Sequence, residues 1–285
     1  MSPSQPVPGS TVVLSTISTL TERIVFIKRS ASSRFMPGAY VFPGGKMDED
    51  DLNQARELLS SPNCPSFFNP FHGIRNDQAL AFYLCGIRET AEETGVLLVT
   101  KADGKTLLSL QEWERIAPSV LAYDSFWMGL REHNLNPHLE FLVPISRWIT
   151  PVIEPRRFDA VFFVATIPNG QSHEPSTNFS ASSEVSDLQV LAPADAIAMH
   201  HQGTILLPPP TLATLESAIA AGGIGALKNK AFESKELLPY CPHAVFNDAG
   251  QLLLTLPGHP DFVGPNAHPL PGRTVFSQVE GMRFR

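Results

Sequence analysis

Between Asn76 and Gly95 the apolar residues Leu80, Leu84, Ile87 and Ala91 recur at i, i+4, i+7 and i+11. That spacing keeps to one face of an α-helix turning about 100° per residue. The pattern predicts a helix, with Asn76 or Asp77 as N-cap and Gly95 ending it in a left-handed conformation. Glu89, Glu92 and Glu93 fall roughly opposite the apolar stripe. They lie in the last turns, where the helix dipole disfavours negative charge and like charges three or four apart repel. Local energetics therefore oppose this cluster, and a bound cation would reverse the sign. For an isolated E-x-x-E-E the plain alternative is a solvated acidic face.

Upstream, Thr11 to Leu20 and Arg23 to Ile27 are rich in β-branched residues and break near Thr21-Glu22. They predict an antiparallel strand pair behind a loose Pro- and Ser-rich leader, residues 1–10. A short strand from Ala39 to Phe42 then delivers Gly44-Gly45, where the missing Cβ lets backbone turn tightly or approach a ligand. Leu52 to Gly73 holds a predicted helix, Asn53 to Ser60, and a cluster of Phe67, Phe68 and Phe71. The cluster is a satellite core under a loop, a substrate-pocket wall or a dimer contact.

Val96 to Val99 predicts a strand. Lys101 to Asn136 carries helical periodicity twice, through Leu107, Leu110, Trp113 and Ile116, then Leu121, Phe126, Trp127 and Leu130. Ser119 is placed to cap the second helix, and the inserted pair predicts a lid or side wall. Phe158 to Ile167 and Ser186 to Leu191 predict strands, Pro193 to His200 and Leu212 to Ala221 helices, the latter with Thr211 as cap. A hairpin follows at Ala244 to Phe246 and Leu252 to Leu256. The alternation is that of an α/β chain: one domain, 1–285, with insertions at about 52–76 and 101–137 and an extension at about 232–285.

With 285 residues and 43% hydrophobic content the chain has ample core. A net charge of −7 and a pI near 5.7 argue against a nucleic-acid or anionic-membrane surface. Handling an anionic substrate then requires metal ions and local Arg or Lys. Arg156-Arg157, at a strand entrance, suit phosphate oxygens, which guanidinium binds bidentately. The plain alternative pairs them with Asp159 or Glu154. Cys64, Cys85 and Cys241 share no metal-ligand spacing, which fits free thiols in a reducing compartment. His259 and His268 likewise lack partner spacing. The run Ala160 to Ile167 is too short to span a bilayer, no secretory pattern opens the sequence, and Arg283-Phe284-Arg285 is no S-K-L signal. A cytoplasmic protein is expected, with no membrane partner.

Phe42-Pro43-Gly44-Gly45-Lys46 through Asp51, joined to Arg88-Glu89-Thr90-Ala91-Glu92-Glu93-Thr94-Gly95-Val96, resembles the Nudix hydrolase signature G-x5-E-x7-R-E-U-x-E-E-x-G-U, with U aliphatic. Asp51 stands at the first Glu of that signature, Thr90 at an aliphatic position, and 36 residues (Leu52 to Ile87) replace the usual seven. A long insertion at this point is similar to the peroxisomal acyl-coenzyme A diphosphatase branch. So are the stretch Lys28 to Gly45, with Arg34, and the elements Trp148-Ile149-Thr150-Pro151 and Arg157-Phe158-Asp159. Met36 departs from it, standing where many coenzyme A-cleaving relatives carry His.

The resemblance implies an α/β/α Nudix sandwich with a mixed sheet, hydrolysing a nucleoside diphosphate linked to another moiety with Mg²⁺ or Mn²⁺. By resemblance Glu92 and Glu93 are the principal metal ligands, Glu89 is a ligand or the base, Glu184 the alternative base, and Arg88 orients a neighbouring carboxylate. The Gly45 carbonyl completes the coordination, and Arg34, Arg156, Arg157 and Phe158 lie on the substrate side. Coenzyme A or acyl-CoA is the favoured substrate; an ADP-sugar, dinucleotide or prenyl diphosphate is the alternative. A Nudix-fold binding module without catalysis is the third reading, but such modules usually lose Glu residues, and all three are present here. The partner is a small-molecule diphosphate, with a homodimer left open.

Overall fold

The computed structural model describes residues 4–17, 22–33, 36–62, 64–171, 185–233, 236–264, 269–271 and 273–277. In chain order the first elements are β1 (Val7–Ile17), β2 (Glu22–Arg29), β3 (Tyr40–Val41), β4 (Gly44–Lys46), α1 (Glu49–Ser60), α2 (Asn76–Thr94) and β5 (Val99–Lys101). The second insertion supplies α3 (Leu110–Leu121), α4 (Phe126–Glu132) and β6 (Leu135–Pro137). Then come β7 (Val143–Ile149), β8 (Phe158–Thr166), β9 (Val185–Leu191), α5 (Pro193–His201), α6 (Pro209–Ala221), α7 (Ile224–Glu233), β10 (His243–Phe246), β11 (Leu252–Thr255) and β12 (Val275–Ser277).

The main sheet has seven strands on the path β3-β2-β1-β8-β7, with β4 paired to β1 and β9 to β2. It is mixed: β1 runs parallel to β8, and the other pairings are antiparallel. Residues 7–10 are therefore strand, not leader, because Val7 to Ser10 pair with Phe158 to Val161. Side-chain alternation divides the interior in two. Val12, Leu14, Val161, Phe163 and Ala165 face α2 and the second insertion, whereas Val13, Phe162 and Val164 face α6 and the C-terminal strands. Strands buried on both sides between helical layers give the expected α/β/α sandwich.

α2 is buried almost all round: 14 of its 19 residues are buried, Arg88 and Glu93 among them. The plain alternative of a solvated acidic face does not hold for Glu89 and Glu93, which lie against β4 and Arg88, while Glu92 stays partly exposed. The N-cap is Arg75, with no side-chain cap, and Asp77 instead accepts from Arg75 Nε and Nη2, each at 3.1 Å. Gly95 ends the helix with φ 74°, as its sequence position predicts.

Two other caps differ from expectation. Ser119 lies inside α3 and contacts His133 Nε2; α3 is capped by Ser109 in a box with Glu112. α6 begins at Pro209, so Thr211 sits within its first turn. The C-terminal hairpin gains a third strand, β12. It packs on the α6 face of the sheet through Leu254, Leu256 and Phe276. Among the described residues no helix is long and apolar enough to cross a membrane.

Candidate active site

β4 brings two glycines against α2, and both positions exclude a side chain. A Cβ on Gly44, where φ is 152°, would lie 2.2 Å from the Ser10 carbonyl; one on Gly45 would lie 2.7 Å from the Glu89 carboxylate. The Gly44 amide donates to Glu93 Oε2 at 2.7 Å. The Gly45 carbonyl meets the weak donor Cys85 Sγ at 3.7 Å.

Arg88 is the hub of the cluster. Its Nε donates to Asp51 Oδ1 at 3.0 Å and its Nη2 to Asp51 Oδ2 at 2.9 Å, a two-point fork. Nη1 lies 3.0 Å from both Glu92 Oε2 and Glu89 Oε1, and Nη2 also donates to the Lys46 carbonyl at 3.0 Å. The guanidinium thus holds two helical carboxylates at once.

Asp51 is fully buried. Its Oδ1 also accepts from Trp127 Nε1 at 3.1 Å, and its Oδ2 from the Asp48 amide at 2.9 Å. Each oxygen has two donors, which commits the carboxylate to fixing Arg88. In the sequence Asp51 stands out only as a departure from the signature, and Trp127 only as an apolar position.

Burial, reinforced by the neighbouring Glu92 and Asp51 charges, lifts the Glu89 carboxyl from its ordinary 4.5 to about 7 against the opposing pull of Arg88. Burial raises Glu92 as well. A carboxyl raised by folding favours the folded state fully below its unfolded pKa and loses that contribution as pH climbs through the folded value. Metal-free protein is accordingly expected to lose roughly 3 kcal/mol of stability from Glu89 between pH 4.5 and 7. Denaturation in EDTA across that range, with Glu89→Gln alongside, checks it. The same slope in both proteins would contradict the assignment.

Whether these groups fit a metal ion is decided by donor chemistry and space. Glu89, Glu92, Glu93 and the Gly45 carbonyl offer oxygen alone, the preference of Mg²⁺ and Mn²⁺. The space at Gly45 that a Cβ would fill brings its backbone beside Glu89. As placed, no three His, Cys, Asp or Glu side chains among the described residues form a group that could hold an ion. Glu89 and Glu92 are turned onto Arg88, so the donor set fits and its convergence requires one of them to turn away.

The expected substrate-side residues are distributed differently. Arg157 is buried, donating through Nε to the Thr150 carbonyl at 2.9 Å and through Nη1 to the Ser4 carbonyl at 3.0 Å. These bonds commit it to anchoring the N-terminal segment. Asp159 is held by Arg147 through two 2.7 Å bonds, not by Arg156 or Arg157. Arg156 is exposed, with no hydrogen bond or ion pair among the described residues. Phe158 opens β8 opposite Val7. Arg34, Glu184, His268 and Arg283 to Arg285 lie outside the described residues. His259 receives the Asp261 amide in a turn.

Away from the carboxylates, a groove of about 370 Å³ is lined by Phe67, Phe68, Tyr83, Leu142, Val143 and Leu237, among others. Tyr83 precedes Glu89 by six residues, about 9 Å of helix axis.

A crystal structure of a NUDIX hydrolase from Alicyclobacillus acidocaldarius superposes with a TM-score of 0.62 at 22% identity, covering 79% of this chain and 96% of that one, which supports the fold. The acyl-coenzyme A diphosphatase NUDT19 of Xenopus laevis is 27% identical over 66% of this chain and 57% of its own length. The Homo sapiens protein of the same name is 29% identical, with 66% and 58% covered. The chain thus spans less than three-fifths of the length of these curated relatives. The family described as the NUDT19 Nudix domain matches residues 7–217, which hold the whole seven-stranded sheet and the whole Arg88 cluster. The chain belongs to the NUDT19 Nudix domain family.

Proposed function

We propose that the chain hydrolyses the diphosphate of coenzyme A or an acyl-CoA with Mg²⁺ or Mn²⁺, releasing 3′,5′-ADP and (acyl-)4′-phosphopantetheine. The observation that carries this reading is the Arg88 hub with its glutamates retained around the Gly44-Gly45 turn. A bound divalent ion would neutralise charge on the diphosphate oxygens and lower the pKa of a coordinated water. Glu92, Glu93 and the Gly45 carbonyl would hold it, with the Gly44 amide fixing Glu93. Arg88 orients Glu92 and Glu89. Glu89, with its pKa near 7, suits proton acceptance from water near neutral pH, where Brønsted efficiency is greatest. Glu184 is the alternative base.

The substrate class rests on relatives named acyl-coenzyme A diphosphatase, and two features of this chain agree with it. The groove beside Tyr83 is mostly apolar and borders the first insertion, which suits a pantetheine or acyl arm. Arg156 has its guanidinium available for a phosphate, unlike Arg157, and coenzyme A carries a 3′-phosphate besides its diphosphate. One charge-assisted pair contributes about 1.5–3 kcal/mol. Arg156→Ala is therefore expected to weaken coenzyme A roughly ten- to a hundredfold while barely changing its analogue lacking the 3′-phosphate. Equal losses on both ligands would place Arg156 elsewhere, and no turnover of either by the unaltered protein would sink the coenzyme A reading.

A further inference from the structure

The interruption between Asp51 and Arg88 leaves the two halves of the signature far apart in sequence, so their alignment depends on tertiary contacts. The second insertion places one buried indole on each half. Trp127 of α4 donates to Asp51 Oδ1 at 3.1 Å, and Trp113 of α3 donates to the carbonyl of Gly95, the cap of α2, at 2.9 Å. The rings are 5% and 4% exposed, so water cannot readily replace either bond.

The two helices are locked together. A Cβ on Gly129 of α4 would lie 2.5 Å from the Val120 carbonyl of α3, so the backbones touch at this crossing. A further tie joins α4 to the first insertion, where Arg131 Nη2 reaches Gln54 at 2.7 Å and Glu57 at 2.5 Å. Trp148 offers an internal contrast: it is as buried as Trp113, yet its Nε1 has no hydrogen-bond partner among the described residues.

We propose that α3 and α4 are a brace holding the split signature in register, with Trp127 a positioning residue that acts on Arg88 through Asp51. Without the indole N–H, Asp51 Oδ1 keeps a single donor, Arg88 Nε, and the carboxylate turns within its pocket. The Arg88 fork turns with it, and Nη1 loses its alignment on Glu89 and Glu92. Groups that bind substrate are untouched, so the loss falls on kcat and not on KM. Only this kinetic consequence rests on the diphosphatase reading; the placement of Arg88 does not.

Trp127→Phe tests the brace, since it deletes the donor and keeps an aromatic ring. It is expected to lower kcat about tenfold with KM within about twofold, and to move the Arg88 Nε–H signal in a ¹H–¹⁵N spectrum. In an Arg88→Gln background the same change adds no further loss, because its effect travels through Arg88. Trp148→Phe, which removes a buried indole without a bond, leaves kcat and that signal in place. Unchanged kcat in W127F, or losses that simply add in the Arg88→Gln background, would overturn the proposal. If the unaltered protein cleaves no diphosphate, the spectrum decides alone, and an unmoved Arg88 signal overturns it. Should W127F not fold, Asp51→Asn read on the indole signals serves instead. One of the three Trp signals moves upfield as a charged acceptor becomes neutral, and no movement overturns the proposal.

Discussion

Glu93→Gln is expected to keep the fold and lose at least two decades of kcat, on the order of 3 kcal/mol of transition-state stabilisation. Glu93 is 5% exposed, and its Oε2 accepts the Gly44 amide at 2.7 Å. An amide of the same shape can still accept that bond, so the turn should survive. What disappears is one negative charge beside the Gly45 backbone, where the ion is proposed to sit. Steady-state kinetics at saturating Mg²⁺ on the best diphosphate, with circular dichroism as the check on folding, decides the matter. A folded Glu93→Gln protein with unimpaired kcat would remove Glu93 from the ion's ligands.

Asp51→Ala is expected to act on stability as well as on rate. Arg88 would stay charged and 7% exposed after losing both bonds of its fork, and the Asp48 amide and Trp127 indole would lose their acceptor too. Removing one partner of a buried ion pair costs about 3–5 kcal/mol. For a chain of this size that lowers Tm by on the order of 10 °C. Replacing Arg88 as well removes its under-paired charge and leaves Glu89 and Glu92, whose raised carboxyls can take up protons, so Asp51→Ala with Arg88→Met should melt above Asp51→Ala alone. Thermal melts of the three proteins in EDTA provide the check. A Tm for Asp51→Ala within about 2 °C of the unaltered protein would show that the pair is not the structural hub its geometry indicates.

What could be read from the sequence was what local periodicity encodes. The stripe through Leu80 to Ala91, the Gly95 stop, the β-branched runs and the C-terminal hairpin depend on neighbours a few residues away, and each has its element. The start of β1 was hidden because Pro8 and Gly9 have little strand propensity, which the ladder with β8 overrides from far along the chain. A helical wheel places Glu89, Glu92 and Glu93 relative to one another, but says nothing of what covers them. β4 and Arg88 lie against them, burial raises Glu89, and the fork to Asp51 fixes Arg88. The bond from Trp127 to Asp51 crosses 76 residues and leaves no local trace. Arg157 shows a related limit: an arginine's suitability for phosphate is visible in a sequence, and its bonds to the Thr150 and Ser4 carbonyls are not. The α3 cap was overlooked although its signal is local: Ser109 followed three residues later by Glu112 is a capping box.

The most direct measurement is a panel of diphosphates incubated with Mg²⁺ or Mn²⁺, its products identified by mass spectrometry. The panel holds coenzyme A, acyl-CoAs of increasing chain length, an ADP-sugar, a dinucleotide and a prenyl diphosphate. The expected result is metal-dependent release of 3′,5′-ADP with (acyl-)4′-phosphopantetheine, abolished by EDTA. Cleavage of the ADP-sugar, dinucleotide or prenyl diphosphate in preference to every coenzyme A species, or no cleavage of any diphosphate by folded, metal-loaded protein, would contradict it.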